Sequence, residues 1–300
     1  MDTNENNNSI HSTSEDPQQI LDYWTPERLA SAQPVEPLII SKNNLADLKD
    51  LHSDGDIEQL TIHPQRGNDF NSGTPYPVDI TKRPYSCAGV IFFTNEKGEN
   101  RMGTAEFVGD LRMIFTAAHC IRDHVSGNWF TNFLFMRAYD GTNRSGQRIP
   151  LSAYGTKQAW VVGPNQEKNW AFDYAFGYTS IDSQAGSLGM KFSSEIPAEF
   201  EAIGYPNNFG NSQVMYGVIG RKGRVGTGVV EMLDNPMGPG CSGGAWLDGE
   251  YIISLNSYSA SDPNTEYGPV LNANTRSLYD AVLNCGKNNV CGRTMESVGN

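Results

Sequence analysis

Basic residues are scarce: 22 Lys and Arg stand against 34 Asp and Glu, a formal net charge of -12 with a pI near 4.8. A chain this acidic is repelled by a phosphate backbone, which excludes nucleic acid as an extended partner. No apolar run approaches the roughly 18 residues of a membrane-crossing helix, so no membrane partner is expected. Histidine is rare, five in all, and none follows His124. Cysteine is equally thin. Cys87, Cys120, Cys241, Cys285 and Cys291 form no zinc-spaced knuckles, and an odd number leaves at least one thiol without an intramolecular partner. Cysteine usage therefore does not settle the compartment. The stretch Met1 to Ile20 has neither the basic start nor the apolar stretch of a secretory leader. Either export does not use that route, or a leader precedes this numbering.

What is present is a chain of 300 residues, 38% apolar, with 31 Gly and 16 Pro. That is enough apolar material for a core, and enough turn formers to favour short strands over a helical bundle. Residues 1 to about 19 read as a disordered tail. Tyr23-Trp24-Thr25-Pro26-Glu27-Arg28-Leu29-Ala30 reads as a short helix with Thr25 as N-cap, Pro26 at its first position and Trp24 as an anchor. Leu45, Leu48 and Leu51 have helical spacing, and Pro64, Gly67, Gly73, Pro75, Pro77 and Pro84 mark a linker. A boundary near residue 78 separates a polar accessory or pro-region (1–78) from a catalytic domain (79–300).

Beyond it, short apolar runs alternate with turns: Val90 to Phe93, Ala105 to Val108, Met113 to Phe115, Phe133 to Met136, Tyr174 to Tyr178, Val214 to Ile219, Gly228 to Met232 and Tyr251 to Leu255. Only Leu278, Ala281 and Val282, on one face near the end, read as a helix. The fold class is all-β, a barrel or sandwich.

Two segments carry chemistry. Phe115-Thr116-Ala117-Ala118-His119-Cys120 places a histidine directly after an apolar strand. Gly238-Pro239-Gly240-Cys241-Ser242-Gly243-Gly244 embeds a serine among glycines. A serine hydroxyl needs a base to become nucleophilic, and a neutral imidazole suits that task. The glycines let the backbone turn sharply, so that the Gly240 and Ser242 amides could meet a developing oxyanion. A third member must be a carboxylate between the two segments. Asp173, at the start of the apolar run Tyr174-Ala175-Phe176, is preferred over Asp123, Asp140 and Asp182. His124 with Cys120 and Asp123 lacks a second ligand cluster and makes a poor metal site. The glycines of Gly217 to Gly228 lack a phosphate-loop ending and read as a hairpin. Trp129, Trp160 and Trp246 read as core.

In these segments the sequence resembles the chymotrypsin-like serine proteases, and within them the bacterial and fungal V8-like glutamyl endopeptidase branch. Thr116-Ala117-Ala118-His119-Cys120 matches the family's histidine motif, and Gly240-x-Ser242-Gly243-Gly244 its nucleophile motif. Tyr23 to Arg28 is similar to the leader region of secreted members of that branch. The resemblance covers roughly residues 80 to 285. It implies two six-stranded antiparallel β-barrels with the active site in the cleft between them and a short C-terminal helix. It also implies protein or peptide substrates, a Ser242-His119-Asp173 triad with no metal or organic cofactor, and secretion. Two departures stand out. Cys241 occupies the position where animal members carry an aspartate that binds a newly cut N-terminus. Residues 101–105 lack the cysteine that usually pairs with Cys120. Two rival readings remain: a cysteine nucleophile at Cys241, and a catalytically inactive binding protein.

The resemblance places the specificity pocket at Asn235-Pro236-Met237 and along Ser254 to Tyr258. Pro236 supplies no carboxylate, Asp234 lies two residues too early, and no histidine is available for a glutamyl preference. A neutral pocket formed by Pro236, Leu255, Asn256 and Tyr258 predicts small to medium uncharged side chains before the scissile bond.

Overall fold

The computed structural model describes residues 7–36, 38–39, 72–142, 146–163, 169–226, 228–259, 262–289 and 291. The helical spacing at Leu45, Leu48 and Leu51, with Pro64 and Gly67, lies outside the described residues. The N-terminal region contributes β1 (Asn8–Ser12), α1 (Pro17–Tyr23), α2 (Pro26–Ser31), β2 (Gln33–Pro34), β3 (Leu38–Ile39) and β4 (Tyr76–Pro77).

Six strands follow: β5 (Ala88–Thr94), β6 (Asn100–Phe107), β7 (Met113–Thr116), β8 (Thr131–Arg137), β9 (Arg148–Lys157) and β10 (Ala175–Thr179). They pair antiparallel in the ring β5-β6-β7-β10-β9-β8, which closes on β5. Strand β5 is buried along its whole length because closure covers both its edges and packs its inner face. Phe92, Phe93, Phe107, Phe115 and Phe133 fill this core.

The second sheet contains β11 (Gly189–Met190), β12 (Glu199–Gly204), β13 (Tyr216–Gly226), β14 (Val229–Leu233), β15 (Ala245–Asp248), β16 (Tyr251–Leu255), β17 (Tyr258–Ser259) and β18 (Thr265–Pro269). Its antiparallel path is β16-β15-β12-β13-β14-β18. The ends of that path meet where the Ser254 hydroxyl on β16 donates to the Pro269 carbonyl on β18, 2.8 Å away. The chain closes with α3 (Ala273–Asn288), capped at Asn272 and packed through Leu278 and Val282 against the first barrel. The all-β, two-barrel expectation with a terminal helix describes this architecture.

The expected helix around Tyr23–Ala30 is present as α2, with Thr25 as N-cap and Pro26 at its start. The disordered-tail reading of residues 1–19 fails for the described part, 7–19. Strand β1 adds to the β9 edge in register Asn8↔Lys157 to Ser12↔Ala153, and Asp16 caps α1. An edge strand is held by backbone hydrogen bonds, which polar residues supply as well as apolar ones. The N-terminal region is also built into the first core: Ile20, Trp24, Leu29 and Ala32 are buried there.

Candidate active site

Strand pairing brings the histidine and the aspartate together. Strands β7 and β10 are antiparallel with Thr116 opposite Ala175, so the chain beyond Thr116 and the chain before Ala175 run side by side. A short 3-10 turn at Ala118–Cys120 carries His119, and another at Trp170–Phe172 delivers Asp173. Both carboxylate oxygens are used. Asp173 Oδ1 accepts the His119 backbone N–H at 2.9 Å, and Oδ2 lies 2.7 Å from His119 Nδ1. The Ser257 hydroxyl also donates to Oδ2. Asp173 is fully buried. Burial disfavours the imidazolium, but the Asp173 charge and neighbouring Cys120 outweigh it, and the His119 pKa is raised to about 10. His119 Nε2 is buried with no hydrogen-bond partner among the described residues.

The other carboxylates weighed from the sequence are occupied locally. Asp123 Oδ1 accepts the Val125 and Ser126 amides, and Asp140 Oδ1 accepts from Thr142. Asp182 lies 3.9 Å from Arg112. His124 sits beside the Trp160 ring. Trp160 and Trp246 are fully buried, whereas Trp129 is half-buried under Arg122.

The nucleophile segment is clamped from both barrels. The Thr104 amide donates to the Ser242 carbonyl at 2.8 Å, and the Thr104 hydroxyl donates to the Gly240 carbonyl at 2.9 Å. From the other side, the Gly243 amide donates to Asn256 O, and the Asn256 amide donates to Gly244 O, each at 2.8 Å. Gly243 has φ +88°, and a Cβ there would lie 2.2 Å from Thr116 Oγ1 and 2.3 Å from Thr104 O. Only glycine allows the serine loop this close to the strand that precedes His119. Gly240, at φ +93°, is closed in by Tyr205 O and Ser212 Oγ, which a Cβ would meet at 2.5 and 2.8 Å. Ser242 is 2% exposed.

Cys241 points into the second core beside Met237 and Trp246. Burial, with Glu266 and Cys120 nearby, pushes its thiol well above the usual range. A thiol held protonated there is no nucleophile. Cys87, Cys120 and Cys241 are free and buried, and Cys285 is bonded to Cys291.

Of the four residues expected to line the specificity pocket, three are committed elsewhere. Leu255 lies in the first core. Asn256 accepts from Trp246 Nε1 and donates to the carbonyls of Ile203 and Cys241. Tyr258 stacks between Tyr267 and Trp170. Pro236 is half-buried, its carbonyl accepting from Asn208.

Sequence reasoning missed three residues at this centre. Thr104 gave no local signal, because the partners of its hydroxyl, Tyr205 and Gly240, lie 101 and 136 residues away. Glu106 Oε2 accepts the Ala245 amide while Oε1 has no partner among the described residues, and burial raises its pKa well above normal. Glu266, on β18, is buried and held by Ser259.

Residues 103–251 match the profile of the trypsin-like peptidase domain. No curated protein matches the chain by sequence. Among solved structures, the protease Anisep from Arthrobacter nicotinovorans is 24% identical with TM-score 0.59, over 70% of this chain and 99% of its own. A Glu endopeptidase is 17% identical at TM-score 0.59, over 70% of this chain and 96% of its own. An inactivated protease paralogue of the scabies mite is 12% identical at TM-score 0.52, over 72% and 99%. The chain carries a trypsin-like peptidase domain on the fold of the chymotrypsin-like serine proteases.

Proposed function

We propose that the protein is a serine endopeptidase working through an acyl-enzyme. Ser242 attacks the scissile carbonyl, and His119 takes its proton and returns it to the leaving amine. Asp173 fixes the Nδ1–H tautomer and stabilises the imidazolium, and the Gly240 and Ser242 amides receive the oxyanion. The observation that carries this reading is the buried His119 Nδ1–Asp173 Oδ2 contact at 2.7 Å, with Ser257 bracing the carboxylate. It leaves Nε2 as the free basic nitrogen. The burial and raised pKa of Cys241 disfavour the rival cysteine chemistry.

The test is labelling by a fluorophosphonate, with hydrolysis of a casein-type substrate alongside. Both are expected to vanish in Ser242→Ala and His119→Ala, and to persist in Cys241→Ala. Equal labelling of the His119→Ala chain would overturn the assignment. Folded chains that neither label nor hydrolyse would favour the reading as a catalytically inactive binding protein. Secretion is part of the proposal. The Cys285–Cys291 disulfide supports it, since such bonds persist in oxidising compartments.

A further inference from the structure

One segment of the chain already lies along the proposed site. Gln33 and Pro34 of β2 pair in parallel with Arg101 and Met102 on β6, and the Val35 amide continues that contact to the Met102 carbonyl at 2.9 Å. The next contact is on the nucleophile loop, where the Gly240 amide donates to the Val35 carbonyl at 3.0 Å. Beyond it, Leu38 and Ile39 of β3 pair in parallel with Tyr258 and Ser259 of β17, immediately after Ser257. Residues 33–36 and 38–39 thus bridge the two sheets, and the chain meets the nucleophile loop at Val35 between them.

We infer that the segment seen at residues 33–36 and 38–39 is a strap that fills the protein's own peptide groove and holds the enzyme latent. The inference rests on the serine-peptidase reading. An extended substrate binds such a groove by adding a strand to exposed edges, and here those edges are already paired. The amide assigned to the oxyanion holds the Val35 carbonyl instead. The burial of Ser242 and of His119 Nε2 accords with a covered site. The strap can be displaced. Its pairings are two residues long at each end, and its N-terminal flank borders a cavity of about 460 Å³ lined by Leu29, Pro34, Met102, Tyr139 and Ser212.

The experiment compares the full chain with full-length Val35→Pro, which removes the amide donated to Met102. Fluorophosphonate labelling of Ser242 is expected to be at least tenfold faster in the variant. A synthetic peptide of residues 33–39, added in trans, should slow it again. Equal labelling rates in the two chains overturn the strap. Absence of labelling in both overturns the hydrolase reading instead, and the strap is then decided by hydrogen exchange at the Gly240 amide. Exchange at least tenfold faster in the variant sustains the strap, and equal exchange overturns it.

A separate observation concerns Glu266. Ser259 lies in β17 and Ser257 just before it, two residues apart along the chain. Ser257 reaches Asp173, and Ser259 reaches Glu266 Oε1. Directly across β14 stands Met232, whose side chain belongs to the cluster with Met237 and Cys241. The Glu266 carboxyl is buried, close enough to the His119 ring and the Cys241 thiol for its charge to act on both, and no cation pairs with it among the described residues. We propose that Glu266 sets specificity at this site by receiving a lysine or arginine side chain of the substrate. This reverses the uncharged preference expected from the sequence, which rested on Pro236 supplying no carboxylate and Asp234 lying too early. Burial keeps the empty carboxyl protonated up to about 8. An incoming cation supplies the missing partner and favours ionisation.

In the Val35→Pro chain, the ratio of kcat/KM for lysyl over leucyl peptide substrates is expected to fall at least tenfold on adding Glu266→Gln. Benzamidine binding to the same chain carrying Ser242→Ala is expected to weaken by a similar factor with Glu266→Gln, whether or not peptides are cleaved. An unchanged ratio, or unchanged benzamidine binding, overturns the role of Glu266 and leaves the peptidase reading intact.

Discussion

The hydroxyl of Thr104 donates a 2.9 Å hydrogen bond to the carbonyl of Gly240, tying a strand of the first barrel to the nucleophile loop of the second. The same oxygen accepts the Tyr205 amide at 3.1 Å. All of these groups are buried, so neither backbone partner can turn to water if the hydroxyl is lost. Thr104→Val should therefore cost about 1–3 kcal/mol, the penalty for stranding buried polar groups. The denaturant midpoint should fall with an unchanged slope, and fluorophosphonate labelling of Ser242 should slow at least tenfold as Gly240 loses its anchor. Thr104→Ser keeps the hydroxyl and should restore both.

In the proposed mechanism the His119 imidazole must be neutral to act as base. Its pKa is raised above 6.5, where the charge of Asp173 overcomes the burial that opposes protonation. The pH profile of kcat/KM should accordingly rise with pH, with its lower midpoint above 6.5. Asp173→Asn removes the opposing charge and the tautomer control together. It should lower kcat by about 10³- to 10⁴-fold and move that midpoint down. An unmoved midpoint would show that Asp173 does not govern His119.

The histidine and serine segments stood out as candidates because serine-nucleophile chemistry demands particular residue types at short spacing, and Asp173, singled out at the head of an apolar strand, does meet His119. Strands with dense aliphatic and aromatic runs, such as Val90 to Phe93 and Tyr251 to Leu255, could be read the same way. What could not be read depends on register between distant segments. The strap 33–39 has no local pattern of its own, and its meaning comes from lying across Met102, Gly240 and Tyr258 at once. Thr104 and Glu266 look like ordinary strand residues until folding brings their partners to them. Strand β1 read as disorder because Asn and Ser dominate it, although an edge strand asks only for backbone.

Stability should depend on pH through the buried carboxyls. Glu106 is raised well above 4.5 by burial, against the single amide of Ala245, and Glu266 is raised to about 8. Below 4.5, folded and unfolded chains both hold these protons, and pH has no leverage through them. Above it, the unfolded chain ionises while the folded chain keeps its protons, so stability falls by about 1.4 kcal/mol per pH unit for each such group. His119 acts in the same direction: its stabilisation is complete below 6.5 and is lost as pH rises toward its folded value. Thermal midpoints should therefore drop between pH 5 and pH 8. Glu106→Gln keeps an acceptor for Ala245 without a titrating proton, and should make that drop shallower. A drop of unchanged steepness would show that Glu106 does not contribute to it.

The N-terminal region should be required for folding even though none of the proposed catalytic residues lies in it. Trp24 is 1% exposed, its ring lies 5.4 Å from that of Phe92, and its Nε1 donates to the Asn132 carbonyl at 2.6 Å. Truncating a fully buried aromatic of this size costs about 3–5 kcal/mol, a large part of an ordinary domain's stability. Trp24→Ala should lower the denaturant midpoint accordingly, whereas Trp24→Phe keeps most of the packing and should lose less. A shortened chain beginning at Thr81 forfeits Ile20, Trp24, Leu29 and Ala32 together, as well as β1. It should fail to reach the native state, despite having shed the strap and kept His119, Asp173 and Ser242. Such a chain folding to the thermal midpoint of the full chain would show that these residues are an appendage, and that the first barrel is complete without them.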